Sequence, residues 1–192
     1  VPRPDSEVVV EAALRLLPDR PGLSIADLGT GSGCLLVAML SSRPDVTGVG
    51  IEADADPASL AVENIARHGL EARASVLVST WKDWQGWQGV DLIISNPPYI
   101  CTDVIPTLEP EVRVHDPGVA LDGGKDGLDA YREIARLART LLKPGTPLVL
   151  EIGFDQNRAV REILSEAGLV GVGGGRDLGG NDRVVWANQP DS

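Results

Sequence analysis

Residues 23–42 read LSIADL, then GTGSG, then CLLVAMLSS, and the reading of this stretch decides the fold. Leu23 to Leu28 is an apolar run of the length expected for a buried strand. Gly29-Thr30-Gly31-Ser32-Gly33 is a glycine-rich turn, and Cys34 to Ser42 is an apolar helix. Glycines permit a tight turn and let a ligand approach the backbone closely. The helix that follows begins with N–H groups that have no partner inside it. In an open α/β sheet, ligands sit beyond the carboxyl ends of the strands, where such a loop falls. The spacing excludes two phosphate loops. A dinucleotide fingerprint places its third glycine five positions after the first, and Cys34 stands there. No Gly-Lys-Ser/Thr follows, as a P-loop requires. Asp27 would repel a pyrophosphate but attract an ammonium or sulfonium group.

Outward from this stretch, strand and helix patterns alternate. Val8 to Leu17 has a helical rhythm, with Asp5 or Ser6 as its cap and Pro18 at its end. VTGVGIE (46–52) is a second strand, and Pro57 suits the first turn of a helix that Gly69 ends. ARASVLVS (72–79) and VDLIIS (90–95) are the third and fourth strands. Residues 96–112 form a long proline-rich connection. A helix over 129–142, a strand over 147–153 and a helix over 156–167 follow. Two short strands, 169–174 and 183–188, close the chain with no helix between them. The alternation predicts an α/β fold with a mostly parallel sheet covered on both faces. The last two strands are expected to pair as an antiparallel hairpin, all within one domain over 1–192.

Charge and composition narrow the function. The 192 residues carry 28 acidic against 17 basic side chains, a net charge of −11, and such a field opposes capture of nucleic acid. Cys34 and Cys101 are too few for a disulfide framework, so a reducing, cytoplasmic compartment is expected. No run approaches the length of a membrane span. His68 and His115 lack ligand-like spacing, and no metal is expected. Aromatic residues make up 4% of the chain, which leaves the core to aliphatic side chains. Trp81, Trp84 and Trp87 recur every third residue and read as a helical-turn stripe against the sheet edge, with a smaller case for a cofactor wall. Cys34 reads as a small core residue.

Two further features carry chemistry. The second strand ends at Glu52, 19 residues past Gly33, where an acid can accept hydrogen bonds from both hydroxyls of a ribose. The fourth strand runs into Asn96-Pro97-Pro98-Tyr99. A planar amide or arylamine nitrogen is a poor nucleophile because its lone pair is delocalised. Its two hydrogens can be held by two acceptors, the Asn96 side-chain carbonyl and the Pro97 backbone carbonyl. As the nitrogen forms a new bond it becomes positive, and those hydrogen bonds strengthen. The prolines fix the backbone, and Tyr99 can stack on a flat group.

DLGTGSG, Glu52 and NPPY together resemble class I methyltransferases that act on amino or amide nitrogens. PRPDSE at 2–7, NPPYI at 96–100, ALDGGKDGLDAYREI at 120–134, LEIG at 150–153 and RDLGGNDR at 176–183 resemble, in order, the HemK/PrmC-type protein-(glutamine-N5) methyltransferases of peptide chain release factors. The resemblance implies a seven-stranded class I methyltransferase sheet of order 3-2-1-4-5-7-6. It implies S-adenosyl-L-methionine as cofactor and, as partner, a release factor whose GGQ glutamine is methylated on its side-chain amide. By the family pattern, Gly29, Gly31 and Gly33 approach the methionine part of the cofactor, and Glu52 holds the ribose. Asp27, Thr30, Ala53, Thr80, Trp81 and Asn96 complete the expected cofactor set. Asn96 and Pro97 grip the glutamine, with Pro98, Tyr99, Arg3 and Pro4 on the substrate side. Bacterial members carry a helical N-terminal domain that helps hold the release factor, and 1–192 matches the part after it. Members often place an Asp where this chain has Thr80. A nucleic-acid adenine-N6 methyltransferase and a non-catalytic binding domain are the competing readings.

Overall fold

A computed structural model describes the backbone of residues 4–107 and 121–191, and the side chains of 7–107 and 121–191. The elements are α1 (Pro4–Leu16), β1 (Ser24–Leu28), α2 (Cys34–Ser42), β2 (Thr47–Glu52), α3 (Ala55–Arg67), β3 (Ala74–Val78), β4 (Leu92–Ser95), α4 (Asp129–Leu141), β5 (Pro147–Glu151), α5 (Asn157–Glu166), β6 (Val170–Arg176) and β7 (Asp182–Asn188). The seven strands form one sheet of order β3-β2-β1-β4-β5-β7-β6. Neighbours from β3 to β5 are parallel, and β7 runs antiparallel to both β5 and β6. The class I methyltransferase architecture expected from the sequence is therefore present, with its C-terminal hairpin.

Period-two alternation divides the core between the two faces of the sheet. Ile25, Leu92, Ile94 and Val149 join a cluster under α1, α2 and α3. Ala26, Leu28, Ile93 and Leu150 join another under α4 and α5. Strands buried on both faces read as continuous apolar runs, which is why LSIADL and VDLIIS are legible as strands.

Several local expectations change. Helix α1 begins at Pro4, so Asp5 and Ser6 lie inside it and do not cap it. Proline, which lacks an N–H, is suited to a first helical turn. β3 starts at Ala74 because the amides of Arg73 and Ala74 turn back to the Leu70 carbonyl, at 2.9 Å each. The tryptophans form no helical stripe. They lie in a turn that ends in a single 3-10 turn, Trp87–Gly89. Trp84 and Trp87 are buried core residues whose rings meet at 5.4 Å. Cys34 is only half-buried, with Sγ 3.2 Å from Ser32 Oγ. Arg3, His115 and the side chain of Pro4 lie outside the described residues.

Candidate active site

Register places the two motifs side by side. Leu28 pairs with Ile51 on one side and Ser95 on the other, so Glu52 and Asn96 leave the sheet flanking the glycine loop. The amides of Gly29 and Thr30 both donate to the Ile51 carbonyl, at 2.8 and 3.1 Å. Gly29, Gly31 and Gly33 have φ of 67°, 54° and 79°, a left-handed region that other residues enter only with strain. The Gly31 amide donates to Glu52 Oε2 at 2.9 Å, and Glu52 Oε1 accepts from the Asp54 amide at 3.1 Å. Glu52 thus shapes the loop. Asn64 Nδ2 fixes the other flank through the Ser32 carbonyl at 2.9 Å. A Cβ on Gly31 would meet nothing within 4 Å, so the tip of the loop faces open space.

Asp27 lies beneath this loop and is 1% exposed. Its Oδ2 accepts from the Thr30 hydroxyl at 2.7 Å, and its buried Oδ1 has no partner of hydrogen-bonding geometry. Burial pushes the carboxyl up from an ordinary 3.8 to about 7. The negative charge of Glu52 adds to this, while the Thr30 hydroxyl and the Leu36 amide oppose it. A cation at the loop would favour the charged form again.

Beyond β3, Trp81 is half-buried, and its Cζ2 lies 3.4 Å from where a Cβ on Gly29 would stand. The ring therefore walls the loop, and its carbonyl accepts from Trp87 Nε1 at 3.0 Å. Ala53 is exposed beside Glu52. Thr80 is exposed too, but it is not uncharged in its surroundings. Its hydroxyl donates to Asp83 Oδ2 at 2.6 Å. A carboxylate three residues later therefore lies against position 80.

At the end of β4, the buried Ser95 hydroxyl donates to the Leu28 carbonyl at 2.6 Å, tying this strand end to the glycine loop. Asn96 is exposed, and its side chain makes no hydrogen bond among the described residues. Pro97 is buried, while Pro98 and Tyr99 are half-buried, Tyr99 against the core. The Ile100 amide donates to Leu121, and the Gly123 amide to Ile100, at 3.1 and 2.8 Å. The arrangement offers a free amide side chain on rigid backbone, next to a loop with an open tip and a wall of Trp81.

Residues 9–105 match the family model of the methyltransferase small domain. A release factor glutamine methyltransferase of Caulobacter vibrioides is 47% identical over 184 residues, covering 96% of this chain and 64% of the relative. One of Gloeobacter violaceus is 39% identical over 192 residues, covering 97% of this chain and 67% of the relative. The crystal structure of a release-factor-specific protein-(glutamine-N5) methyltransferase from Alicyclobacillus acidocaldarius matches at 28% identity and TM-score 0.59, over 100% of this chain and 95% of that one. The chain belongs to the HemK/PrmC-type family of release factor glutamine methyltransferases.

The chain spans about two thirds of the length of these curated relatives. Set against the family pattern, the loop glycines, Asp27, Glu52, Trp81 and the NPPY segment gather at the carboxyl edge of β1, β2 and β4. Among the described residues, no cluster of potential metal ligands is present and no helix is long and apolar enough to cross a membrane. The sequence reading passed over Asn64, Asp83 and Gln156. The first two betray themselves only through contacts with Ser32 and Thr80. Gln156 did leave a signal, because glutamine is not a favoured residue at a helix start.

Proposed function

We propose that residues 1–192 form one cytoplasmic S-adenosyl-L-methionine-dependent methyltransferase domain. Its acceptor is the side-chain amide of the GGQ glutamine of a peptide chain release factor. The observation that carries the reading is the placement of Asn96, exposed and uncommitted, beside the glycine loop at adjoining strand ends.

The residues present fit the cofactor. The orphaned Oδ1 of buried Asp27 and the open tip at Gly31 suit a positively charged ligand laid along the loop. Glu52 would hold the ribose, Trp81 and the Thr80–Asp83 pair would border the adenine end, and the loop amides would hold the methionine end. S-adenosyl-L-methionine supplies, when bound, a methyl group on sulfonium sulfur. The Asn96 carbonyl accepts one N–H of the incoming amide and the Pro97 carbonyl accepts the other. Together they turn the nitrogen's lone-pair face toward the loop. As positive charge grows on that nitrogen, both acceptors bind it more tightly, and their dipoles are already oriented. No strong base is needed before transfer, because the proton becomes acidic only afterwards. Solvent at exposed Asn96 can take it.

The test is mass spectrometry of release factor, DNA and RNA after incubation with the chain and labelled cofactor. One methyl on the GGQ glutamine is expected. Label on adenine would replace this reading with the nucleic-acid one, and label nowhere would leave a binding domain.

A further inference from the structure

We propose that Gln156 is the positioning residue of the acceptor site, locking the NPPY segment to two loops through a single side-chain amide; this rests on the methyltransferase reading above. The Nε2 group donates to the Tyr99 carbonyl at 3.0 Å and to the Gly127 carbonyl at 3.2 Å. The Oε1 atom accepts from the Gly153 amide at 3.0 Å, and the Tyr131 hydroxyl stands 3.4 Å away. Both hydrogens of the amide and its oxygen are therefore engaged. That side-chain hydroxyl has its shorter bond elsewhere, to the Glu151 carbonyl at 3.0 Å.

The geometry is specific to an amide. A carboxylate could not donate to the two carbonyls, and a lysine could not accept from Gly153. The neighbours are shaped around it. Gly127 has φ 73°, and a Cβ there would come within 2.5 Å of the Tyr99 oxygen and 2.9 Å of Gln156 Nε2. Only glycine lets that loop reach the bridge. Beyond Tyr99, the Thr102 amide donates to the Gly124 carbonyl at 3.0 Å, and its hydroxyl to Asp122 at 2.7 Å. The stretch from Tyr99 to Thr102 is thus sewn to residues 121–127 with Gln156 at its head. Asn96 and Pro97 lie between the Ser95 tie to Leu28 and the Gln156 bond to Tyr99, so their aim depends on both ends being held. Small misplacement of a gripping group costs rate far more than affinity.

The experiment compares wild type with Gln156→Glu, which keeps shape and acceptor but loses both donors, and Gln156→Met, which loses all polar contacts. Single-turnover transfer to release factor should fall about 10- to 100-fold in both. Melting temperature should fall by several degrees, because backbone groups lose their partners, while cofactor affinity by calorimetry should stay near wild type. Hydrogen exchange should quicken at the amides of Ile100, Thr102 and Gly123 and stay unchanged in β1 and α2. Wild-type exchange at these amides in both variants overturns the inference. So does a loss of cofactor affinity as large as the loss of transfer, which marks a purely structural residue. Absence of transfer by wild type would reject the release-factor reading instead, while the exchange data still decide the role of Gln156.

Discussion

The two ends of the sheet each bury an aspartate, and they treat it in opposite ways. At the amino end, Asp91 precedes β4. Its Oδ1 accepts from Arg20 and Lys143 at 2.7 Å each, and its Oδ2 from the Ser24 amide at 2.9 Å. Burial works against its charged form, yet Lys143, the Ser24 amide and Arg20 outweigh that and hold the carboxyl below its ordinary range. At the carboxyl end, Asp27 has no cationic partner among the described residues; burial raises it to about 7, outweighing the Thr30 hydroxyl and the Leu36 amide, which favour its charged form. One end pairs its buried carboxyl with two cations, and the other does not. An acid perturbed by burial without a charge partner, next to an open loop, is the pattern expected where a ligand belongs. The contrast separates the end braced by ion pairs from the end where the glycine loop and Asn96 lie.

The largest test of that separation is Asn96→Ala. It should lower single-turnover transfer about 10²- to 10³-fold, as for removal of one preorganised partner of a transition state. Melting temperature should barely move, and cofactor affinity should fall much less than in Glu52→Ala. Transfer near the wild-type rate would break the assignment of chemistry to this end.

The aspartates themselves give tests of opposite pH sign. Asp27 has a folded pKa above its unfolded value, so the folded state holds a proton that the unfolded chain has released between pH 3.8 and about 7. Wild-type stability should therefore fall through that window as pH rises. Between pH 4 and pH 8, denaturation should show Asp27→Asn gaining about 2–4 kcal/mol on wild type. A pH-independent difference would mean that Asp27 is charged throughout. Asp91 is depressed, so its stabilisation is present above the ordinary carboxyl range and lost as pH falls through its folded value. Asp91→Asn should cost about 2–3 kcal/mol at pH 7, with the deficit vanishing in acid. Its cofactor affinity should match wild type, and a drop there would mean that the two ends are coupled.

Glu52→Ala sharpens the comparison within the carboxyl end. Calorimetry should show cofactor binding weakened by about 1–3 kcal/mol, from lost polar partners and a loosened Gly31. Equal affinity would remove Glu52 from the cofactor site.

The candidate cofactor loop was legible because its geometry is local. Three glycines within five residues, an acid before them and an acid ending the next strand suffice to read it. The helix start at Pro4 and the tryptophan turn were misread because capping and periodicity are weak beside tertiary packing. Trp84 and Trp87 sit every third residue but answer to the core around Tyr131 and Ile134. The acceptor half was legible only as the NPPY motif. The Gln156 amide that meets its Tyr99 carbonyl lies 57 residues away along the chain.

The sequence by itself determined the strand and helix alternation, the glycine loop, and the NPPY segment at the end of the fourth strand, because each is a property of consecutive residues. Tertiary structure alone decided that Glu52 accepts from Gly31, that Asp83 lies against Thr80, that Asp91 meets two cations, and that Gln156 ties three segments together. Such pairings depend on which strand ends the sheet brings side by side. Hydrogen bonds and ion pairs act over about 3 Å, a separation that parallel crossovers set without regard to distance along the chain.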